Sequence, residues 1–466
     1  MAREIKRRDF LAGAGAAGIV TAAGCIGSPD GGGGGGSGNG SGNNGSGGGG
    51  GGGNGSGGGG GGGGGSGGGP GLLVVIGYPE SGIQLFRDYY SRSTTDENIL
   101  VPDGLRDGAL PNQVGNDMNN VTGTAPAAGG PNQQAFTQMF QSEYGGPPGV
   151  FTSQSYDSVA TLILANVAAG ENSGSAIQSQ MRNIANPPGM AVGPSNFVEG
   201  VEAVANGEDV DYQGASSSVN FDENGDPASA AYAIWEFARQ QNDTSTVTTQ
   251  TFEGDSPEGS GPSADSIPGS SMDRTVQVGI LLPETGDLAS VGGPMIQAAQ
   301  LPVKEVNDSD LGLSVDAQVQ DTQTQPEAGI SGAEALVNAG VPAVCGTASS
   351  GVNVPVSQQV LIPNQVVGCS PSSTALNVTN LEDDDFIFRT APSDFLQGRV
   401  MAQVGSDRLS TSNAATLFVN NEYGQQLSNR FAEVFENEFD GSVSQQVAFN
   451  IGESSYTSVI EQALSS

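Results

Sequence analysis

Between Gly31 and Gly69 the chain consists only of glycine, serine and asparagine. With no apolar side chain over 39 residues, this stretch cannot offset the entropy of ordering its own backbone. It reads as a flexible tether. The fold must therefore be built from the roughly 397 residues that begin at Pro70, enough for two or three domains of about 100–200 residues each.

Charge narrows the function. Fifteen Lys and Arg stand against 50 Asp and Glu, a formal net charge of −35. Such a surface repels phosphate, so no nucleic-acid partner is expected. Self-repulsion on this scale normally opposes compaction unless salt screens it, which points to a concentrated-salt environment. The chain has no histidine, which removes Ser-His-Asp and Cys-His catalysis, histidine metal sites and the usual near-neutral proton shuttle. Three cysteines are too few for a disulfide scaffold or a thiolate cage. No metal or cofactor is expected, and no nucleophile motif points to an enzyme.

The N-terminus is basic at Arg3, Lys6, Arg7 and Arg8 and is followed by a short apolar run over 10–23. The run falls short of the ~20 residues that span a bilayer and fits an export signal. Lys6-Arg7-Arg8-Asp9-Phe10-Leu11 resembles a twin-arginine (Tat) signal, and Ala22 to Cys25 resembles a lipobox, which implies lipidation at Cys25. The tether would then hold a folded domain about 30–40 Å from the anchor, on the extracellular face of the membrane.

After Pro70, apolar runs of strand length alternate with segments of helical period. Strands are expected at 72–76, 99–101, 231–237, 276–282, 313–319, 341–345, 366–369, 386–389, 414–419 and 443–449. Helices are expected at 83–90, 133–144, 155–169, 175–184, 295–306 (kinked at Pro302), 328–339, 354–361, 393–406, 423–439 and 454–464. Residues 240–273 are rich in Ser, Thr, Pro, Gly and acids and read as a second linker. The alternation argues for an α/β fold of parallel sheets with helices on both faces, with ligands beyond the carboxyl ends of the strands. The turn 221–226 reads as a hairpin. Cys345 and Cys369 end neighbouring strands, as buried free thiols or a disulfide.

The segments Val278-Gly279-Ile280-Leu281-Leu282-Pro283-Glu284-Thr285-Gly286, Arg389-Thr390-Ala391-Pro392-Ser393-Asp394, Glu422-Tyr423-Gly424 and Ser155-Tyr156-Asp157 are together similar to signatures of type I periplasmic binding proteins of the leucine/isoleucine/valine type. The resemblance implies two Rossmann-like lobes joined by a hinge. It covers 275–466 as the family's first half and 72–240 as its second, so the order looks circularly permuted. The expected organisation is a signal over 1–25, a tether over 26–70, second-lobe sequence over 71–121, first-lobe sequence over 122–195, a second-lobe tail over 196–239 and a disordered acidic linker over 240–274. The main part of the first lobe follows over 275–391, and that of the second over 392–466.

The resemblance also implies function: a monomeric, lipid-anchored solute-binding protein that captures an amino acid or similar zwitterion for an ABC permease. A ligand-sensing receptor subunit, or a rearranged copy without function, is the alternative. Ser349, Ser350, Ser372, Ser373 and Thr374 match first-lobe loops that hold the ligand's carboxylate and amino groups, although the same residues could cap helices. Tyr423, Tyr78 and Asp103 match second-lobe contacts, Asp103 being shorter than the family's usual acid. Gln154 and Tyr156 are secondary candidates.

Overall fold

A computed structural model describes residues 69–95, 97–238, 243–253 and 266–465. The expected export signal, Cys25 and nearly all of the expected tether lie outside the described residues. Fourteen strands follow in chain order: β1 Leu72–Ile76, β2 Asn98–Val101, β3 Val121–Pro126, β4 Met190–Val192, β5 Val210–Tyr212, β6 Ser229–Ala238, β7 Asp243–Glu253, β8 Thr275–Leu282, β9 Ser314–Asp321, β10 Ala343–Gly346, β11 Val367–Ser370, β12 Ile387–Arg389, β13 Asn413–Val419 and β14 Ser442–Phe449.

They form two large sheets. One runs β14-β13-β1-β2-β3-β6-β7 and the other β12-β11-β10-β8-β9; β4 and β5 make a small third sheet. Pairing is parallel throughout, except at β3–β6 and β6–β7. Strand β1, Leu-Leu-Val-Val-Ile, is buried at all five positions, as a parallel strand covered on both faces must be.

The second sheet, counted from β8, has the order 2-1-3-4-5. The first sheet has the same order over five strands when counting starts at β13, continues to β14 and then passes to β1, β2 and β3. In such a sheet the helices on either side of the switch diverge and leave a crevice at the strands' carboxyl ends. The two switch points lie between β8 and β10 and between β13 and β1.

Several boundaries differ from those expected of the sequence. β3 belongs to the first sheet, so the chain leaves that lobe after Pro126 and not at 121. Helix Phe197–Ala205 packs on helices Thr152–Ala169 and Ala289–Asn307 beside the second sheet. Within 196–239 only β6 belongs to the first sheet, so the second-lobe tail begins near 229 and not at 196. The supposed linker 240–274 contains β7, an eleven-residue edge strand paired with β6. Its sequence, Asp-Thr-Ser-Thr-Val-Thr-Thr-Gln-Thr-Phe-Glu, is polar but β-branched, and an edge strand needs β propensity more than hydrophobicity.

Helix Thr152–Ala169 is buried along nearly its whole length and packs against β8, β10 and β11. It carries one buried acid. Asp157 accepts hydrogen bonds from Tyr212 Oη (2.8 Å), Ala215 N (2.9 Å), Ser216 N (2.7 Å) and Ser216 Oγ (2.5 Å). These bonds tie the segment before β6 to the first lobe, whose sheet that helix covers. Burial pushes the carboxyl up to about 6, and the hydrogen bonds offset part of that shift. Residues 221–227 form the expected turn, with Phe221 bridged to Pro227. Cys345 and Cys369 are register partners on β10 and β11; both are free and buried.

Candidate ligand-binding site

The loops that leave both switch points converge on one cavity of about 380 Å³. From the first sheet come Tyr78 after β1, Asp103 and Gly104 after β2, and Tyr423 after β13. From the second come Pro283 and Leu288 after β8, Ala348, Ser349 and Ser350 after β10, and Ser372 after β11. Phe151, Val291 and Met295 complete an apolar wall.

Six of the residues singled out from sequence therefore meet: Tyr78, Asp103, Ser349, Ser350, Ser372 and Tyr423. The Tyr78 and Tyr423 rings stack at 5.8 Å with an interplanar angle of 12°. Tyr423 Oη donates to Asp103 Oδ1 (3.2 Å) and accepts from Gly104 N (3.3 Å). Gln397 Nε2 donates to the same Asp103 oxygen at 2.5 Å. Asp103 is buried, and desolvation pushes its carboxyl up to about 6 against the hydrogen bonds from Gln397 and Tyr423.

Ser349 stands at the cap position of its helix without capping it. Its hydroxyl lies instead 2.9 Å from Tyr78 Oη, which also accepts from Asn421 Nδ2 at 2.9 Å. Further bonds join the lobes, among them Ser81 Oγ to Asp287 Oδ1 (2.6 Å) and Asn377 Nδ2 to Glu422 Oε2 (2.6 Å). The lobes are closed on one another.

Four candidates fall elsewhere. Ser373 turns its hydroxyl to the Thr347 carbonyl (3.0 Å), and Thr374 offers its carbonyl to Asp394 N (2.8 Å), so both lie behind the cavity wall. Tyr156 is a core residue whose hydroxyl donates to Glu305 Oε2 (2.6 Å) and whose ring packs on Phe136 and Phe197. Gln154 lines a larger, open cavity of about 1740 Å³, which shares Phe151 and Val291 with the first. Sequence reasoning missed the apolar wall. Leu288, Val291 and Met295 bracket the start of a helix placed six residues too late, and Phe151 is marked only by a backbone φ of +60°, which sequence does not reveal. Among the described residues no group of three or more acids or cysteines is arranged to hold a metal ion, and no helix is long and apolar enough to cross a membrane.

Residues 275–466 match the family model described as periplasmic binding protein. Over that stretch the chain is similar to the periplasmic binding proteins. With two like-ordered parallel sheets, its fold class is that of the type I members. A Leu/Ile/Val-binding protein homolog of Brucella abortus is 31% identical over 194 residues, 41% of this chain and 52% of that protein. A Leu/Ile/Val-binding protein of Rhizobium johnstonii is 30% identical over 158 residues, 34% of this chain and 42% of its own. The chain thus spans about half the length of the curated relatives it matches. A solved leucine-binding protein from Thermotoga maritima aligns at 24% identity and a TM-score of 0.37, over 41% of this chain and 53% of that one.

Proposed function

We propose that this chain is a solute-binding protein that closes two lobes around an amino acid or similar small zwitterion and delivers it to an ABC permease. One observation carries the reading. Both switch-point crevices open onto the same cavity, which combines an aromatic pair, one buried acid, small hydroxyls and an apolar wall. An ammonium would find Asp103, a carboxylate would find Ser349, Ser350 and Ser372, and an aliphatic side chain would face Leu288, Val291 and Met295. No bond is made or broken; the ligand stabilises the closed lobes against an open population.

The Tat-like start, Cys25 and the glycine tract support an exported, lipid-anchored protein on the outer face of the membrane. The charge of −35 supports a halophilic setting. Circular permutation is supported by the shared 2-1-3-4-5 order, which the first sheet attains only when β14 leads through helix Thr457–Leu464 into β1. It is supported too by Gly69, whose Cα region lies against the Leu464 carbonyl. A chain reopened within 254–265, with Ser465 joined to Pro70, is expected to fold and bind as this one does.

The deciding experiment is a thermal-shift screen in concentrated potassium chloride against amino acids, amides and polyols. Stabilisation that grows with ligand concentration supports the reading, since a ligand of the native state shifts unfolding by mass action. A flat response across the amino acids, in a protein that unfolds cooperatively, overturns it.

A further inference from the structure

Behind Asp103 lies a buried polar cluster that the binding site does not yet use. Asp394 opens helix Asp394–Gln403 and is fully buried, and neither of its carboxylate oxygens has a hydrogen-bond partner. Gln397, one turn along the same helix, gives its amide nitrogen to Asp103, while its Oε1 is unpartnered and buried. The Thr374 hydroxyl, on the loop whose carbonyl accepts from Asp394 N, meets the Asp394 carboxyl only beyond ordinary hydrogen-bond distance. Buried polar atoms are almost always paired, so a carboxylate and an amide oxygen left this short of donors need an explanation.

The charges around them supply one. Asp103 reaches the cluster from the loop after β2, Tyr423 from its helix and Tyr232 from β6. Arg389 on β12 is a cation within electrostatic range. Its guanidinium is already committed to Asp226 Oδ2 (2.6 Å) and to the carbonyls of Ser373 and Ala375 (3.1 Å each). Two carboxyls in one dry site with no cation of their own cannot both stay ionised.

We infer that Asp394 is a hidden partner of the ligand site: it shares one proton with Asp103, and a cationic group bound beside Asp103 displaces that proton to solvent. The inference rests on the proposed site for its cation and assigns Asp394 a positioning role. Desolvation and the neighbouring Asp103 hold the Asp394 carboxyl well above the ordinary carboxylate range, as this requires. Binding then tightens as pH rises, by up to about tenfold per unit while the free pair holds its proton, and levels off above that.

The test uses the full chain in potassium chloride with L-leucine as probe. Infrared difference spectra of the unmutated protein near pH 7 should show a neutral carboxylic acid band that disappears when L-leucine is added. Calorimetry in two buffers of different ionisation heat should show release of up to one proton per ligand. Asp394→Asn should abolish both and flatten the rise of affinity with pH. Gln397→Leu, which removes a hydrogen bond to ionised Asp103, should move the proton release to higher pH. Leucine binding with no proton released, or with the same release from Asp394→Asn, overturns the shared proton. The two readings fail separately. If L-leucine does not bind while an acid band is present that Asp394→Asn removes, the leucine-type ligand is overturned and the shared proton stands. If that band is absent, the shared proton is overturned whatever leucine does.

Discussion

Tyr78 and Ser349 meet across the cleft with their hydroxyls 2.9 Å apart, one from each lobe. The same tyrosine hydroxyl accepts from Asn421 and its ring stacks on Tyr423. Tyr78→Phe keeps the stack and removes both bonds, leaving an amide donor and a hydroxyl unpaired in a buried site. The loss is about 1–3 kcal/mol of closure, which should weaken ligand binding roughly 5- to 150-fold. Calorimetric titration checks the affinity, and small-angle scattering of the free protein should show a more open particle.

The cavity residues and their neighbours behind the wall should separate cleanly. Asp103→Ala and Tyr423→Ala are expected to reduce affinity by more than about tenfold, since each removes a charged or aromatic contact from an enclosed site. Tyr156→Phe should leave affinity unchanged and lower stability instead. An unchanged affinity in Asp103→Ala would mean that the cavity is not the site.

Glu305 provides a pH-dependent contribution to stability outside the cleft. Burial pushes its carboxyl up to about 7, and the hydrogen bond donated by Tyr156 Oη only partly offsets this. The native state therefore holds a proton that the unfolded chain gives up above about pH 4. Between that pH and about 7 the native state binds more protons, so stability must fall as pH rises. Glu305→Gln should flatten this fall, as read from melting temperature across pH 4–8. An equally steep fall in the variant would assign it to other groups.

Gly123 on β3 is the register partner of Trp235 on β6, and a Cβ at Gly123 would sit 2.0 Å from the indole. Gly123→Ala should therefore destabilise by about 1–3 kcal/mol through overpacking. Trp235 is the chain's one tryptophan, so its fluorescence during urea unfolding reports the change directly.

Much of the α/β architecture was legible because strand and helix are local patterns. β1 is an unbroken apolar run, and Gln133–Tyr144 shows its period in Phe136 and Phe140. β7 was hidden because threonine signals both linker and edge strand, and only pairing with β6 distinguishes them. In the site, the loops of Tyr78, Asp103, Ser349 and Tyr423 were legible because they follow strands whose carboxyl ends must lie at a crevice, and the resemblance to binding proteins singled out these residues within them. Ser373 and Thr374 follow a strand equally well, but the chain turns there and sends them inward. Asp394 lies in a quoted signature, yet nothing local reveals that it is buried behind Asp103.

Sequence by itself determined what depends on composition and short-range period: the glycine-rich tract, the charge, the absence of histidine and the succession of strands and helices. Tertiary structure alone decided the order of strands within each sheet, the lobe to which 196–253 belongs, and the placing of Tyr78 against Ser349, 271 residues apart. The physical reason is that side-chain periodicity records which face of an element is buried, whereas the neighbour that buries it is chosen by long-range packing.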